Sequence, residues 1–213
     1  MTHKYKSSVQ TNHYLALIGW RKLANQKLTG CNFYADSLSL LLLARFLGFR
    51  MKYLPGAKMM KALDFEKLDY LILAPFELEQ FDSEKQYILE DFKENVYLTE
   101  RLRAWLSEKK GSEIVFVAIS SPKQNILAIQ ISEEFSFNIH CVGAACIEYK
   151  TSKFSLISRV TGLGLEWLAR LFYNPRRFIH KLAQILNEII HIMGSKKVRD
   201  DFVLFLRRLN EQS

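Results

Sequence analysis

The chain has 213 residues, is 49% apolar and 24% charged, and carries a net charge of +8. That much apolar and aromatic material excludes a disordered chain and suits one globular core, while no stretch approaches the roughly 20 uninterrupted apolar residues of a membrane span. Three cysteines (Cys31, Cys141, Cys146) and five scattered histidines (His3, His13, His140, His180, His191) exclude a disulfide framework and a structural zinc site.

The charge is unevenly spread. Residues 1–63 hold ten bases and one acid, residues 64–110 seven and twelve, residues 111–158 three and four, and residues 159–213 ten and five. Basic ends of this kind attract phosphate-bearing partners: nucleic acid, anionic lipid or a nucleotide sugar. No recognition helix or aromatic RNA-binding signature accompanies them, which argues against nucleic acid.

In chain order, Met1 to Gln10 is polar and basic with no apolar core behind it, unlike a secretory signal; the expected location is the cytoplasm. Asn12 is placed to cap a helix through Tyr14, Leu17, Ile18 and Ala24. Cys31 to Ala35 reads as a short strand, and Ser37 to about Phe49 as a helix whose Leu38–Leu43 run is buried. Gly56 marks a turn, and Met59 to Leu63 one further helical turn. Asp69 to Pro75 is a buried strand around Tyr70, Leu71, Ile72 and Leu73. Residues 78–94 are acidic and read as helical. Residues 98–109 form a helix with Leu98, Leu102, Trp105 and Leu106 on one face, and Gly111 ends it.

The clearest element is Glu113 to Ile119. Its run Ile114-Val115-Phe116-Val117 is that of a central parallel strand covered on both faces. Ser120, Ser121 and Pro122 lead into a helix from Lys123 to Glu134, with Ser as cap and Pro in the first turn. Phe137 to Val142 is the next buried strand, closed by Gly143, and the three elements make a right-handed βαβ unit. Gly164–Tyr173, Pro175–Met193 and Lys196–Asn210 read as helices rich in arginine and aromatics. The expected architecture is α/β: a parallel sheet flanked by helices over residues 1–158, with a basic α-helical appendage over residues 159–213.

Ligands of open parallel sheets bind where the strands end at their carboxyl side. One such end is Ser121-Pro122-Lys123-Gln124, where free N–H groups and the helix dipole favour an anion; a plain helix cap is the alternative. The other is Val142-Gly143-Ala144-Ala145, whose small residues allow close approach of a ligand to backbone. Asp36 is the lone acid among the first 63 residues. It reads either as a helix N-cap or as a general base toward a hydroxyl.

These segments together resemble the WecB/TagA/CpsF glycosyltransferases. Ser121-Pro122-Lys123-Gln124 is similar to that family's Gly-x-Pro-Lys-Gln-Glu, and Val142-Gly143-Ala144-Ala145 to its Val-Gly-small-small. Gly164-Leu165-Glu166-Trp167-Leu168-Ala169-Arg170-Leu171 followed by Asn174-Pro175-Arg176-Arg177 resembles its Gly-Leu-Glu-Trp-Leu-x-Arg-Leu and Glu-Pro-x-Arg. More loosely, Thr11-Asn12 resembles its Thr-x-Asn at the end of the first strand, Ala35-Asp36-Ser37 its Asp-Gly, and Pro55-Gly56 a later glycine. The resemblance covers residues 9–63 and 113–180; residues 64–110 do not align.

The resemblance implies a Rossmann-like core with a C-terminal helical appendage. It implies transfer of a sugar from a UDP-sugar, with inversion, to a polyprenyl-pyrophosphate-linked acceptor at the inner face of the membrane, without a metal or other cofactor. Asp36 would be the base. Thr11, Asn12 and Gln124 would position the donor sugar. Lys52, Tyr53, Ser121, Lys123, Gly143 and Ala144 would line the diphosphate. Arg170, Arg176 and Arg177 would stabilise departing UDP or hold the lipid pyrophosphate. The expected partners are the two substrates and the membrane surface, with a second copy or another glycosyltransferase beside them.

Several family positions differ. Ser37 stands for the glycine after the aspartate, Tyr53 (beside Lys52) for an arginine, Lys58 for an acid and Asn125 for the glutamate after Gln124. Cys146-Ile147 (with Glu148 next) stands for Phe-Asp, and Ser155-Leu156-Ile157 for Arg-Ala-Pro. Losing an arginine on a diphosphate costs about 2–4 kcal/mol in the transition state by analogy with an oxyanion donor, and Lys52 lacks the bidentate fork. A catalytically degenerate helper of a membrane glycosyltransferase is therefore the second reading.

Overall fold

The computed structural model describes residues 11–15, 17, 19–26, 31–90, 97–109, 113–149 and 175–211, with backbone alone at Asn12, Tyr14, Ala144, Glu148, Arg177 and Phe178. Among these residues, seven strands pair in one sheet: β1 (Thr11–Leu15), β2 (Cys31–Ala35), β3 (Lys52–Tyr53), β4 (Tyr70–Ala74), β5 (Gln86–Ile88), β6 (Ile114–Val117) and β7 (Asn138–Cys141). Their order is β3-β2-β1-β7-β6-β4-β5, and every pairing is parallel. The helices are α1 (Trp20–Ala24), α2 (Leu38–Phe46), α3 (Gly56–Ala62), α4 (Glu100–Ser107), α5 (Lys123–Glu134), α6 (Ala144–Glu148), α7 (Pro175–Gly194) and α8 (Lys196–Asn210). This is the α/β, Rossmann-like arrangement the βαβ pattern predicts.

The side-chain alternation of each strand divides the core. Tyr70, Ile72 and Ala74 join Phe116 and Ala118 under α3 and α6, with Met59, Met60 and Cys146. Their neighbours Leu71, Leu73, Val115 and Val117 pack instead with Leu102 and Leu106 of α4 and Leu127 and Ile131 of α5. A further cluster holds Leu15, Phe33 and Ala35 against α1, α2 and α8, through Trp20, Leu40, Phe202 and Phe205. The unbroken apolar runs of β4 and β6 follow from this: both faces of those strands are covered.

The C-terminal helices dock on α1. Trp20 meets Phe202 edge-on with ring centroids 4.9 Å apart. Its indole N–H donates to Glu188 of α7 at 2.8 Å, and Arg21 pairs with the same carboxylate at 3.1 Å. Arg208 of α8 donates to the carbonyl of Gln26 at 3.1 Å.

Three expectations are corrected. The helix from Asn12 to Ala24 is a strand followed by a short helix. Thr11, His13 and Leu15 are the inward positions of β1, and β2 and β7 bond its backbone on both sides. The acidic helix over 78–94 is, up to residue 90, a loop, a 3-10 turn (Ser83–Lys85) and edge strand β5. The Gln86 side chain holds that loop, accepting from Leu78 N and donating to the Leu78 and Phe81 carbonyls. Gly56 opens α3 rather than marking a turn before it. The anticipated helix at Gly164–Tyr173 lies outside the described residues.

Candidate active site

Because all strands run one way, their carboxyl ends share an edge, and three of the predicted loops converge there. Asp36 follows β2 directly, and its amide donates to Leu15 O at 2.9 Å. It is not the cap of α2; Ser37 is, accepting from Leu40 N. That leaves the Asp36 carboxylate for another partner: Oδ1 accepts the Gly56 N–H at 2.8 Å, from the first turn of α3.

Gly56 in turn lies against the end of β7. A Cβ there would stand 3.0 Å from Val142 O and 3.3 Å from Ala145 Cβ. Next along the edge is Gly143, at φ +57°, a backbone geometry that disfavours any side chain. A Cβ at Gly143 would also meet Ile119 O at 3.4 Å and Gln124 Oε1 at 3.5 Å. On the other flank, Gly19 (φ +91°) turns β1 into α1 so close to Pro122 that a Cβ would lie 2.8 Å from its ring. A continuous line of contacts thus runs from Asp36 through Gly56, Val142, Gly143 and Gln124 to Pro122.

Ser121 does not cap α5; Pro122 occupies that position without a side-chain bond. The Ser121 hydroxyl instead donates to Asn125 Oδ1 at 2.9 Å, and Asn125 Nδ2 lies 3.0 Å from His13 Nδ1. Cys141 Sγ sits 3.5 Å from the same Nδ1 and donates to Gln124 O at 3.6 Å. His13 stacks on Phe33 at 5.2 Å. His13 and Asn125 are wholly enclosed. Burial pushes the His13 imidazole down to about 3 and the Cys141 thiol well up, so both are uncharged near neutrality. Gln124, only 4% exposed, keeps Oε1 without a hydrogen-bond partner among the described residues, as does His13 Nε2.

The other predicted residues distribute as follows. Tyr53 pairs with Ala35, so it stands beside the strand end that carries Asp36 and packs on the α1–α2 cluster. Lys52 is one step further back and exposed; Lys123 opens α5 and is half-buried. Ala144 opens α6 directly after Gly143. Thr11 and Asn12 do not reach this edge. They begin β1, where Thr11 pairs with Cys31 and Ile139, four residues or about 13 Å before the strand's end. Arg176 is exposed in the first turn of α7, twelve residues and so about 18 Å along the helix from the Glu188 contact. Arg177 shares that turn. Arg170 lies outside the described residues.

Sequence reasoning missed His13 and Asn125. The available signal was the alternation Thr11-His13-Leu15 opposite Phe33: a histidine at an inward strand position needs a buried partner. No group of three or more His, Cys, Asp or Glu stands together as a metal set among the described residues.

A shallow cleft lined by Arg45, Gly48, Phe49, Arg50 and Met51 opens at the far end of α2. It lies a helix length from Asp36 and holds no acid or nucleophile.

The profile of one protein family, described as "Glycosyl transferase WecG/TagA/CpsF family", matches residues 85–200, more than half of the chain. The match takes in the Ser121–Gln124 loop, Gly143, and α7; Asp36 lies outside it. No curated protein and no solved structure matches the chain significantly.

Proposed function

Since the chain belongs to the WecG/TagA/CpsF family of glycosyltransferases, we propose that it moves a sugar from a UDP-sugar to a polyprenyl-pyrophosphate-linked acceptor in a single inverting step. The observation that carries this reading is the Asp36 carboxylate. It stands on the same sheet edge as Gly143 and the start of α5, joined to them through Gly56.

In this scheme the diphosphate lies against the first turn of α5 and the Gly143 turn. Lys123 and the helix dipole offset its charge there. Lys52 and Tyr53 flank it from β3. Asp36 takes the proton of the acceptor hydroxyl as its oxygen bonds to the anomeric carbon. The bond from that carbon to the β-phosphate oxygen breaks, and UDP leaves with the electron pair. Gln124 orients the donor sugar, and Ala144 contributes small bulk beside Gly143. Arg170, Arg176 and Arg177 are assigned to the departing UDP or the lipid pyrophosphate. Thr11 and Asn12 have no part in the scheme, because of their place at the start of β1.

Approach to the cytoplasmic leaflet rests on α7. Ile179, Leu182, Leu186, Ile190 and Met193 form one exposed apolar stripe on it, and residues 159–213 carry five more bases than acids. Each exposed base gains about 1 kcal/mol at an anionic surface. No helix among the described residues is long and apolar enough to cross a membrane, so attachment would be peripheral.

The test is UDP release from a panel of UDP-sugars with a short polyprenyl-pyrophosphate-sugar acceptor. Asp36→Asn should lower turnover at least a hundredfold with donor KM little changed; full activity in that variant removes Asp36 from the scheme.

A helper subunit without activity is the competing reading. It is favoured by Lys58, exposed on α3, and by Ile147, packed on the α3–α6 core, where the family carries acids. A thermal shift with UDP separates the two: a clear rise supports the transferase, whereas no response and co-purification with another glycosyltransferase supports the helper.

A further inference from the structure

The Ser121–Asn125–His13 chain lies directly behind the loop to which the sugar nucleotide has been assigned, and the scheme above does not use it. The hydrogen bonds of its members set one another's polarity. The Ser121 hydroxyl has one proton, and that proton is turned inward to Asn125 Oδ1 at 2.9 Å. With Oδ1 so engaged, the Asn125 amide presents Nδ2–H to His13 Nδ1, 3.0 Å away. His13 must then receive on Nδ1 and carry its proton on Nε2. Ser121 Oγ is left with lone pairs alone. Beside it, the enclosed Gln124 Oε1 is a second acceptor with no partner among the described residues, lying against the Gly143 turn. Two acceptor oxygens suit hydroxyl or amide N–H donors and repel phosphate oxygens.

We propose that His13 and Asn125 are positioning residues that hold Ser121 Oγ as a hydrogen-bond acceptor. Ser121 and Gln124 thereby read the hydroxyl or acetamido donors of the transferred sugar, while the diphosphate is left to Lys123 and the dipole of α5. This deepens the sugar-nucleotide reading and rests on it. It also gives Asn125, which departs from the family's glutamate, a definite partner: a carboxylate there would have no hydrogen to offer His13 Nδ1.

The experiment has two arms. Calorimetry with UDP, UDP-glucose and UDP-N-acetylglucosamine is run on the wild type, Ser121→Ala, Asn125→Ala and the double variant. One neutral hydrogen bond corresponds to about a two- to tenfold change in Kd. Each single variant should weaken the UDP-sugars by that factor and leave UDP unchanged. Asn125→Ala should cost nothing further once Ser121 is alanine. Equal weakening of UDP and UDP-sugars would mean a merely structural role and overturn the proposal.

The second arm reads the His13 tautomer by ¹⁵N NMR of histidine-labelled protein. Nε2–H is expected. Nδ1–H would turn the Asn125 amide around, free the Ser121 proton to face outward, and sink the proposal whatever the affinities. Should Asn125→Ala fail to fold, Asn125→Asp replaces it. It keeps the acceptor for Ser121 and removes the donor to Nδ1, so the tautomer should switch while sugar selectivity survives. If the wild type binds none of the three ligands, the sugar-nucleotide reading fails, and the tautomer still decides which way the Ser121 hydroxyl points.

Discussion

Helices α5 and α7 both place leucine and isoleucine at helical spacing, yet they meet different surroundings. In α5, Leu127, Ala128 and Ile131 are fully enclosed between the sheet and α4, and even its polar Gln124 and Asn125 are buried. In α7, Ile179, Leu186 and Ile190 are 60%, 51% and 69% exposed, while Ile185, Ile189 and Ile192 supply the face that docks. The amphipathic pattern is sharper in the helix that leaves more of its apolar surface in water. Apolar spacing therefore reports that a face wants cover, and the sheet decides which face receives it from within the chain.

Substitutions can break this contrast at graded cost. The largest effect belongs to α5: Leu127→Ala should lower unfolding free energy by about 2–5 kcal/mol in urea denaturation, since nothing nearby is free to fill the space.

Acid should act next, on the buried imidazoles. Burial pushes His13 down to about 3 and His140 to about 4, from 6.5 when unfolded. The unfolded chain binds more protons across that window, so stability is whole above pH 6.5 and is lost as pH falls toward 3. His13 alone would contribute on the order of 3 kcal/mol of loss by pH 4. His13→Gln should flatten the lower part of the stability–pH curve; an unchanged curve would show that His13 titrates normally.

At the docked side of α7, Glu188→Ala removes the acceptor of the Trp20 indole N–H and should cost about 1–2 kcal/mol. On the exposed side, Leu186→Gln with Ile190→Gln should change stability by less than about 0.5 kcal/mol. Their signature should instead be weaker sedimentation with anionic vesicles. If the pair unfolds the protein, the stripe is structural and the contrast fails.

The degree to which the sequence was legible follows the same physics. Ile114-Val115-Phe116-Val117 and Tyr70–Ala74 were readable as strands because both faces are apolar. The Ser121 and Gly143 loops were readable because they end such strands. Strand β1 was not, since it opens on three consecutive polar residues, Thr11-Asn12-His13, with no apolar alternation, and its pairing comes from β2 and β7, distant in sequence. Residues 78–90 misled for a different reason: their acids suit an exposed helix and an exposed edge equally, and one buried glutamine, Gln86, decides between them. Asp36 was legible as a lone acid, but its hold on Gly56 was not, because it depends on where α3 begins.

The position of β1 between β2 and β7 carries a consequence for synthesis on the ribosome. Its first neighbour is available within some twenty residues, but the other side of the seam, at Ile139 to Cys141, emerges more than a hundred residues later. Until then the backbone groups of His13 that face β7 have no mate, and the imidazole lacks both Asn125 and Cys141. A nascent chain released before that point would expose an open strand edge to its neighbours. The sheet edge assigned to sugar binding is therefore completed late, by the closing of the sheet itself.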